Sequence, residues 1–167
     1  MKKTVMTTLT LLLMGTTLNA QEIEMFDTNG QSYHVSAQND DIKIQEAEGK
    51  VVFIEFFGLN CPACKQAMPN LIEVQSKYPE KVKVLAIEVQ KNDVDPINAY
   101  KKEHGINYTT FSNFDVGYMT RYIADKSGWG GAIPYTVVID AKGRVQLTQA
   151  GVISKSELES YITNYSN

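Results

Sequence analysis

Cys61 and Cys64 are the only cysteines in the 167-residue chain, and they sit together in the run Asn60-Cys61-Pro62-Ala63-Cys64-Lys65. Two thiols at this spacing can exchange a disulfide with another protein. One sulfur attacks as thiolate, and the other displaces the captured partner and closes the pair. A free thiol titrates near about 8.5, too high for much thiolate at neutral pH. A sulfur at a helix N-terminus does better, because unpaired backbone donors and the positive end of the macrodipole hold the anion. Val51 to Phe57 reads as a strand buried on both faces, and Gly58-Leu59-Asn60 as a turn. A helix then opens near Cys61, with Pro62 in the first turn, where no amide donor is needed. Cys61 is thus the attacking residue. Cys64, one turn deeper and within bonding reach, is the resolving one, so the pair forms a Cys61–Cys64 disulfide in its oxidised state.

Other uses of such a pair fit poorly. A structural zinc site needs four ligands, and the chain offers only His34, His104 and scattered acids. Haem attachment requires a histidine after the second cysteine, where Lys65 stands. A bridge closing so small a loop removes little unfolded-state entropy and is poor scaffolding. A peroxidase would need a threonine and an arginine around Cys61, and neither can be placed there. No metal or cofactor is expected. Glu55 lies in the middle of the apolar run Val51–Phe57. If the strand is central, the carboxyl is costly to bury unless protonated or partnered, and desolvation raises its pKa. That suits proton exchange with Cys64. The alternative is an edge strand with Glu55 facing solvent.

The surrounding elements can be read in order. Lys2 and Lys3, the apolar stretch Leu9 to Met14, and Leu18-Asn19-Ala20 have the pattern of a cleavable secretory signal over residues 1–20. Cleavage after Ala20 leaves one domain, residues 21–167, with 14 basic against 19 acidic side chains and a net charge of −5. No basic run is present to serve nucleic acid. Asn29-Gly30 marks a hairpin between Phe26 and Val35, expected to add to one edge of the main sheet. The dithiol helix carries Ala67, Met68, Leu71 and Ile72 at helical spacing and runs to about Tyr78, with Pro69 inside it as a bend. Val82 to Val89 is a second core strand. Asp95 is expected to cap a helix with Pro96 at its first position and Gly105 as its stop. A short strand at Tyr108 to Phe111 and a helix over Asp115 to Ala124 form an inserted element. A glycine-rich loop, Ser127 to Gly131, leads to a strand at Tyr135 to Ile139. A turn at Asp140–Gly143 then gives the return strand Val145 to Ala150. Ser154 and Glu157 form a capping box for the last helix. The pattern is α/β: a mixed central sheet flanked by helices.

The segment Phe53 to Lys65, with Met68-Pro69 following, resembles the active-site segment of thioredoxin-fold proteins. Gly131-Ala132-Ile133-Pro134, with Tyr135 to Asp140, Gly143 and Val145, resembles the second hallmark of that fold. The exported TlpA/ResA-like branch is the nearest in kind, and the likeness covers nearly all of residues 21–167. Sequence physics alone makes Pro134 an ordinary trans loop proline. The resemblance makes it a cis-proline facing the dithiol, with the Ile133 backbone pairing with the bound substrate. It also puts Glu55 at the position of the buried acid of thioredoxin. The family usually has Trp before the first cysteine. Asn60 stands here instead and, with Pro62, gives a more polar substrate-facing surface. Trp129 is open to two roles, a replacement aromatic wall or packing in its loop. The resemblance implies a monomeric reductase of cysteine-containing exported proteins, such as oxidised apocytochrome c, recharged by a membrane thiol electron donor in the periplasm of a Gram-negative bacterium. A disulfide-donating oxidase or isomerase, and a redox-inert binding module, are the alternatives.

Overall fold

The structure, a computed structural model, describes residues 21–167, so the signal assigned to residues 1–20 lies outside the described residues. Strand β4 (Val51–Phe57) organises the rest, and all seven of its residues are buried. It pairs in parallel with β5 (Val82–Glu88) and antiparallel with β7 (Tyr135–Ile139). β6 (Thr109–Ser112) extends the parallel side, and β8 (Val145–Ala150) returns antiparallel beside β7. The five-stranded order is β6-β5-β4-β7-β8. The parallel pairs need helical crossovers, and α1 (Pro62–Lys77) and α2 (Val94–Glu103) provide them.

Alternation along β4 sorts its side chains into two layers. Val51, Phe53 and Phe57 pack with residues of α1, α2 and the last helix, α4 (Lys155–Tyr165). Val52, Ile54 and Phe56 face the opposite layer. That layer is built by α3 (Asn113–Ser127) and by a second sheet of three strands, β1 (Gln21–Phe26), β2 (Ser32–Gln38) and β3 (Asp41–Ile44). Tyr33, Val35 and Ala37 alternate on β2 and give the second sheet its buried face. Burying such apolar side chains is worth roughly 1.5–3 kcal/mol each, which is what fixes the sheet in place.

The N-terminal hairpin forms, with Gly30 at φ +80° in its turn. It does not add to an edge of the main sheet as expected. It gains a third strand and lies across one face, tied to both outer strands. The Thr28 amide donates to the Thr110 carbonyl of β6 at 2.9 Å, and the Val145 amide of β8 donates to the Asp40 carbonyl at 2.9 Å. The second helix also differs from expectation. Asp93 rather than Asp95 is its N-cap, which moves Pro96 to the third helical position, still within the turn where proline is harmless. The expected inserted strand and helix are present: β6 is an outer strand of the sheet, and Ser112 caps α3 through the Phe114 amide. Ser154 and Glu157 form the expected capping box. Among the described residues, no helix is long and apolar enough to cross a membrane.

Candidate active site

Cys61 is the N-cap of α1, with extended backbone at φ −109° and ψ 105°. Its amide donates to the Gly58 carbonyl at 3.2 Å, closing the turn after β4. Pro62 follows as the first helical residue. The sulfur of Cys61 accepts the Cys64 amide at 3.1 Å, the place a capping oxygen normally takes. The two cysteines are joined as a disulfide with Cα atoms 5.2 Å apart. Cys61 is 6% exposed and Cys64 2%, so the outer sulfur is the N-terminal one.

The Ile133–Pro134 peptide bond is cis, as the family resemblance implied. The loop lies against the dithiol 72 residues earlier in the chain, with the Ile133 carbonyl oxygen 3.8 Å from Cys61 Sγ. Ile133 packs against both core layers. Trp129 lies in the same loop. Its ring sits 4.5 Å from Phe56 and 5.9 Å from Tyr135, and its indole N–H donates to the Ala132 carbonyl at 2.6 Å. Of the two roles left open for Trp129, these contacts are those of loop packing.

Glu55 is 2% exposed, in the middle of a fully buried strand, so the edge-strand alternative fails. It stands opposite Ala86 on β5 and Thr136 on β7, small neighbours that leave room for it. Strand alternation puts it on the face of Phe53 and Phe57, in the layer that contains Cys64, Tyr100 and Tyr108. Desolvation pushes its carboxyl up to about 8. Burial, and then the Glu55 charge, holds the Tyr108 phenol well above its ordinary range. Glu55 therefore titrates within reach of neutral pH, in the layer of the resolving cysteine, where a carboxyl can both take up and release a proton.

Asn60 and Pro62 are exposed beside Cys61. Two further residues belong to the site that the sequence reading left out. The Asn60 amide donates to Oε1 of Gln90 at 2.9 Å. Glu88, fully buried, accepts from the Gln90 and Asn92 amides at 3.0 and 2.9 Å. An acid ending an apolar strand, the same signal that marked Glu55, could have singled out Glu88. Nothing local marks Gln90. Among the described residues, no cluster of three or more histidines, cysteines or acids is arranged to hold a metal ion.

The AhpC/TSA family model matches residues 20–148. The thiol-disulfide oxidoreductase ResA of Bacillus thuringiensis (strain Al Hakam) is 29% identical over 122 residues, which take in 72% of this chain and 66% of that one. The thioredoxin-like protein YneN of Bacillus subtilis (strain 168) is 27% identical over 121 residues, or 70% and 65% of the two chains. The chain thus spans slightly under two thirds of the length of these curated relatives. Among solved structures, a thiol:disulfide interchange protein of the thioredoxin family from Chlorobium tepidum TLS superposes with a TM-score of 0.69 at 20% identity, covering 89% of this chain and 95% of that one. StoA from Bacillus subtilis superposes with a TM-score of 0.63 at 15% identity, covering 86% and 97%. At these identities the structural likeness establishes the thioredoxin-like fold.

Proposed function

This chain belongs to the AhpC/TSA family, and from that premise we propose that it is a thiol–disulfide oxidoreductase that reduces disulfides in exported proteins. The observation that carries the reading is the seat of Cys61. Its sulfur caps α1, accepts a backbone N–H at 3.1 Å, and faces the carbonyl before a cis-proline. The names of the curated relatives support the same class of reaction.

In the reduced protein, Cys61 as thiolate attacks one sulfur of a substrate disulfide. A bond forms between Cys61 and that sulfur, and the other substrate sulfur leaves as thiolate and takes a proton. Cys64 then loses its proton to Glu55 in the molecules where that carboxyl is ionised, and attacks Cys61 Sγ. The Cys61–Cys64 disulfide forms and the second substrate thiolate departs. The dithiol is oxidised by two electrons and the substrate disulfide is reduced by the same two. A membrane thiol donor returns the pair to the dithiol. Ile133 offers its backbone to the substrate strand, Pro134 holds that backbone in place, and Asn60 and Pro62 form the contact surface around Cys61. Trp129 supports the loop behind them.

The proposal includes a cleaved signal over residues 1–20, a single domain over 21–167, a monomeric protein and a periplasmic location. Oxidised apocytochrome c is a substrate of the right kind, an extended cysteine pair on an exported chain. The test is turnover of insulin disulfides by the reduced protein. Cys61→Ser should abolish it, and Cys64→Ala should accumulate mixed disulfides from which the natural partner can be identified. Equal turnover by Cys61→Ser would favour a redox-inert binding role. A reduction potential matching strongly oxidising dithiol enzymes would make the protein a disulfide donor.

A further inference from the structure

We propose that Gln90 is a positioning residue for the dithiol: it locks the Gly58–Asn60 turn so that Cys61 keeps its seat at the mouth of α1 when the disulfide is open. The inference rests on the thiol-exchange reading above and adds to it a residue outside the known motif.

The loop after β5 is held from three sides. Its first amide, Val89, donates to the Phe57 carbonyl at the end of β4 at 2.9 Å. The buried Glu88 carboxylate accepts from the Gln90 amide at 3.0 Å, from the Asn92 amide at 2.9 Å and from the Asn92 side chain at 2.9 Å. On the far side, Ser112 Oγ at the end of β6 donates to the Asn92 carbonyl at 3.0 Å. Lys91 takes the left-handed conformation, φ +66°, between these anchors. A loop so tied is a rigid mount, and its exposed side chain Gln90 is delivered to one place.

That place is the turn before the nucleophile. Gln90 lies across Gly58 so closely that a Cβ on Gly58 would come within 2.3 Å of Gln90 Cδ and 2.5 Å of its Oε1. Any larger residue there would have to push the Gln90 side chain aside. The same Oε1 accepts the Asn60 amide at 2.9 Å. The peptide that follows leads directly into Cys61, whose extended backbone aims the sulfur at the Cys64 amide.

Redox cycling explains why such a clamp matters. In the oxidised state the disulfide itself fixes Cys61 against Cys64. In the reduced state that covalent tether is gone, and the seat of Cys61 depends on the turn and on Pro62. Among the described residues, Gln90 supplies the one side-chain hydrogen bond to the turn, from a loop 30 residues away in sequence. It touches neither sulfur, so it acts through the backbone of residues 58–61.

The test is the pH profile of alkylation of Cys61 in the reduced protein, run on wild type, on Gln90→Met, which keeps bulk over Gly58 but loses the acceptor, and on Gly58→Ala, which displaces Gln90. Thermal unfolding is measured alongside. One net hydrogen bond corresponds to about twofold to tenfold in the population of the seated thiolate, so the midpoint should rise by ~0.3–1 pH unit in Gln90→Met. Gly58→Ala should raise it likewise, and the double variant should add little, since both changes remove one contact. Insulin turnover at neutral pH should fall in the same proportion. An unchanged midpoint in folded Gln90→Met would overturn the role of Gln90, whether or not the melting temperature drops. A wild-type midpoint equal to that of an ordinary thiol would instead overturn the thiol-exchange reading on which the role rests.

Discussion

Glu55 illustrates how much one residue can disclose. A carboxyl amid Phe53, Ile54, Phe56 and Phe57 is legible in the sequence as a buried acid, because solvation rather than any partner decides its pKa. The structure buries it on the layer of Cys64, and desolvation lifts it from 4.5 to about 8. A carboxyl raised in the folded state contributes stability below its unfolded pKa and loses it as pH rises through the folded one. Glu55→Gln should therefore match wild-type stability near pH 4. It should become the more stable protein as pH rises from about 4.5 to about 8 and hold a lead on the order of a few kcal/mol above that, the size set by the two pKa values. Urea unfolding across pH measures it, and a constant gap would mean that the carboxyl does not titrate in this window. On the proposed mechanism the same variant should slow insulin turnover, because Cys64 loses its proton acceptor. Gln90 shows the opposite case. An exposed glutamine carries no pattern of its own, and its meaning comes from a turn 30 residues earlier.

At the scale of elements, local chemistry was readable wherever it is complete within a few residues. The Ser154–Glu157 capping box, the Asn29-Gly30 turn and the entry of α1 at Cys61 are all of this kind. The start of α2 was displaced by two residues because Asp93 and Asp95 offer the same chemistry, and the observed cap, Asp93, makes no side-chain hydrogen bond that would distinguish it. The loop before β7 needs tertiary contacts to be understood. Trp129 packs on Phe56 and Tyr135 and holds the Ala132 carbonyl, one residue before Ile133. Trp129→Ala should lower stability by about 2–4 kcal/mol, toward the range for removing a large aromatic from a packed site. On the proposed role of Ile133 in holding substrate, it should also raise the KM for a protein disulfide more than it lowers kcat. A normal KM with lowered stability would confine Trp129 to packing.

For the whole molecule, strand alternation reveals that a face is buried but not what buries it. Tyr33, Val35 and Ala37 mark one apolar side of β2, and the hairpin was expected at a sheet edge. The structure lays it over Val52, Ile54 and Phe56 and fastens it to both outer strands. Tyr33 Oη and Thr109 Oγ1 lie 2.9 Å apart, and the Ile42 amide donates to the Gly143 carbonyl at 2.7 Å. The three-stranded sheet is thus half of one core layer. Removal of residues 21–44 should abolish cooperative unfolding rather than yield a smaller active domain, as followed by circular dichroism on heating. A cooperative, redox-active remnant would mean that the two sheets fold independently.

All of the chemistry depends on the Cys61 sulfur being an anion held at the start of α1. The direct measurement is the rate of carbamidomethylation of the reduced protein against pH, with mass mapping of the modified cysteine. The account predicts modification at Cys61 before Cys64 and a midpoint below the ordinary thiol value of about 8.5. Reaction at neither cysteine, or a Cys61 midpoint at that ordinary value, would contradict it.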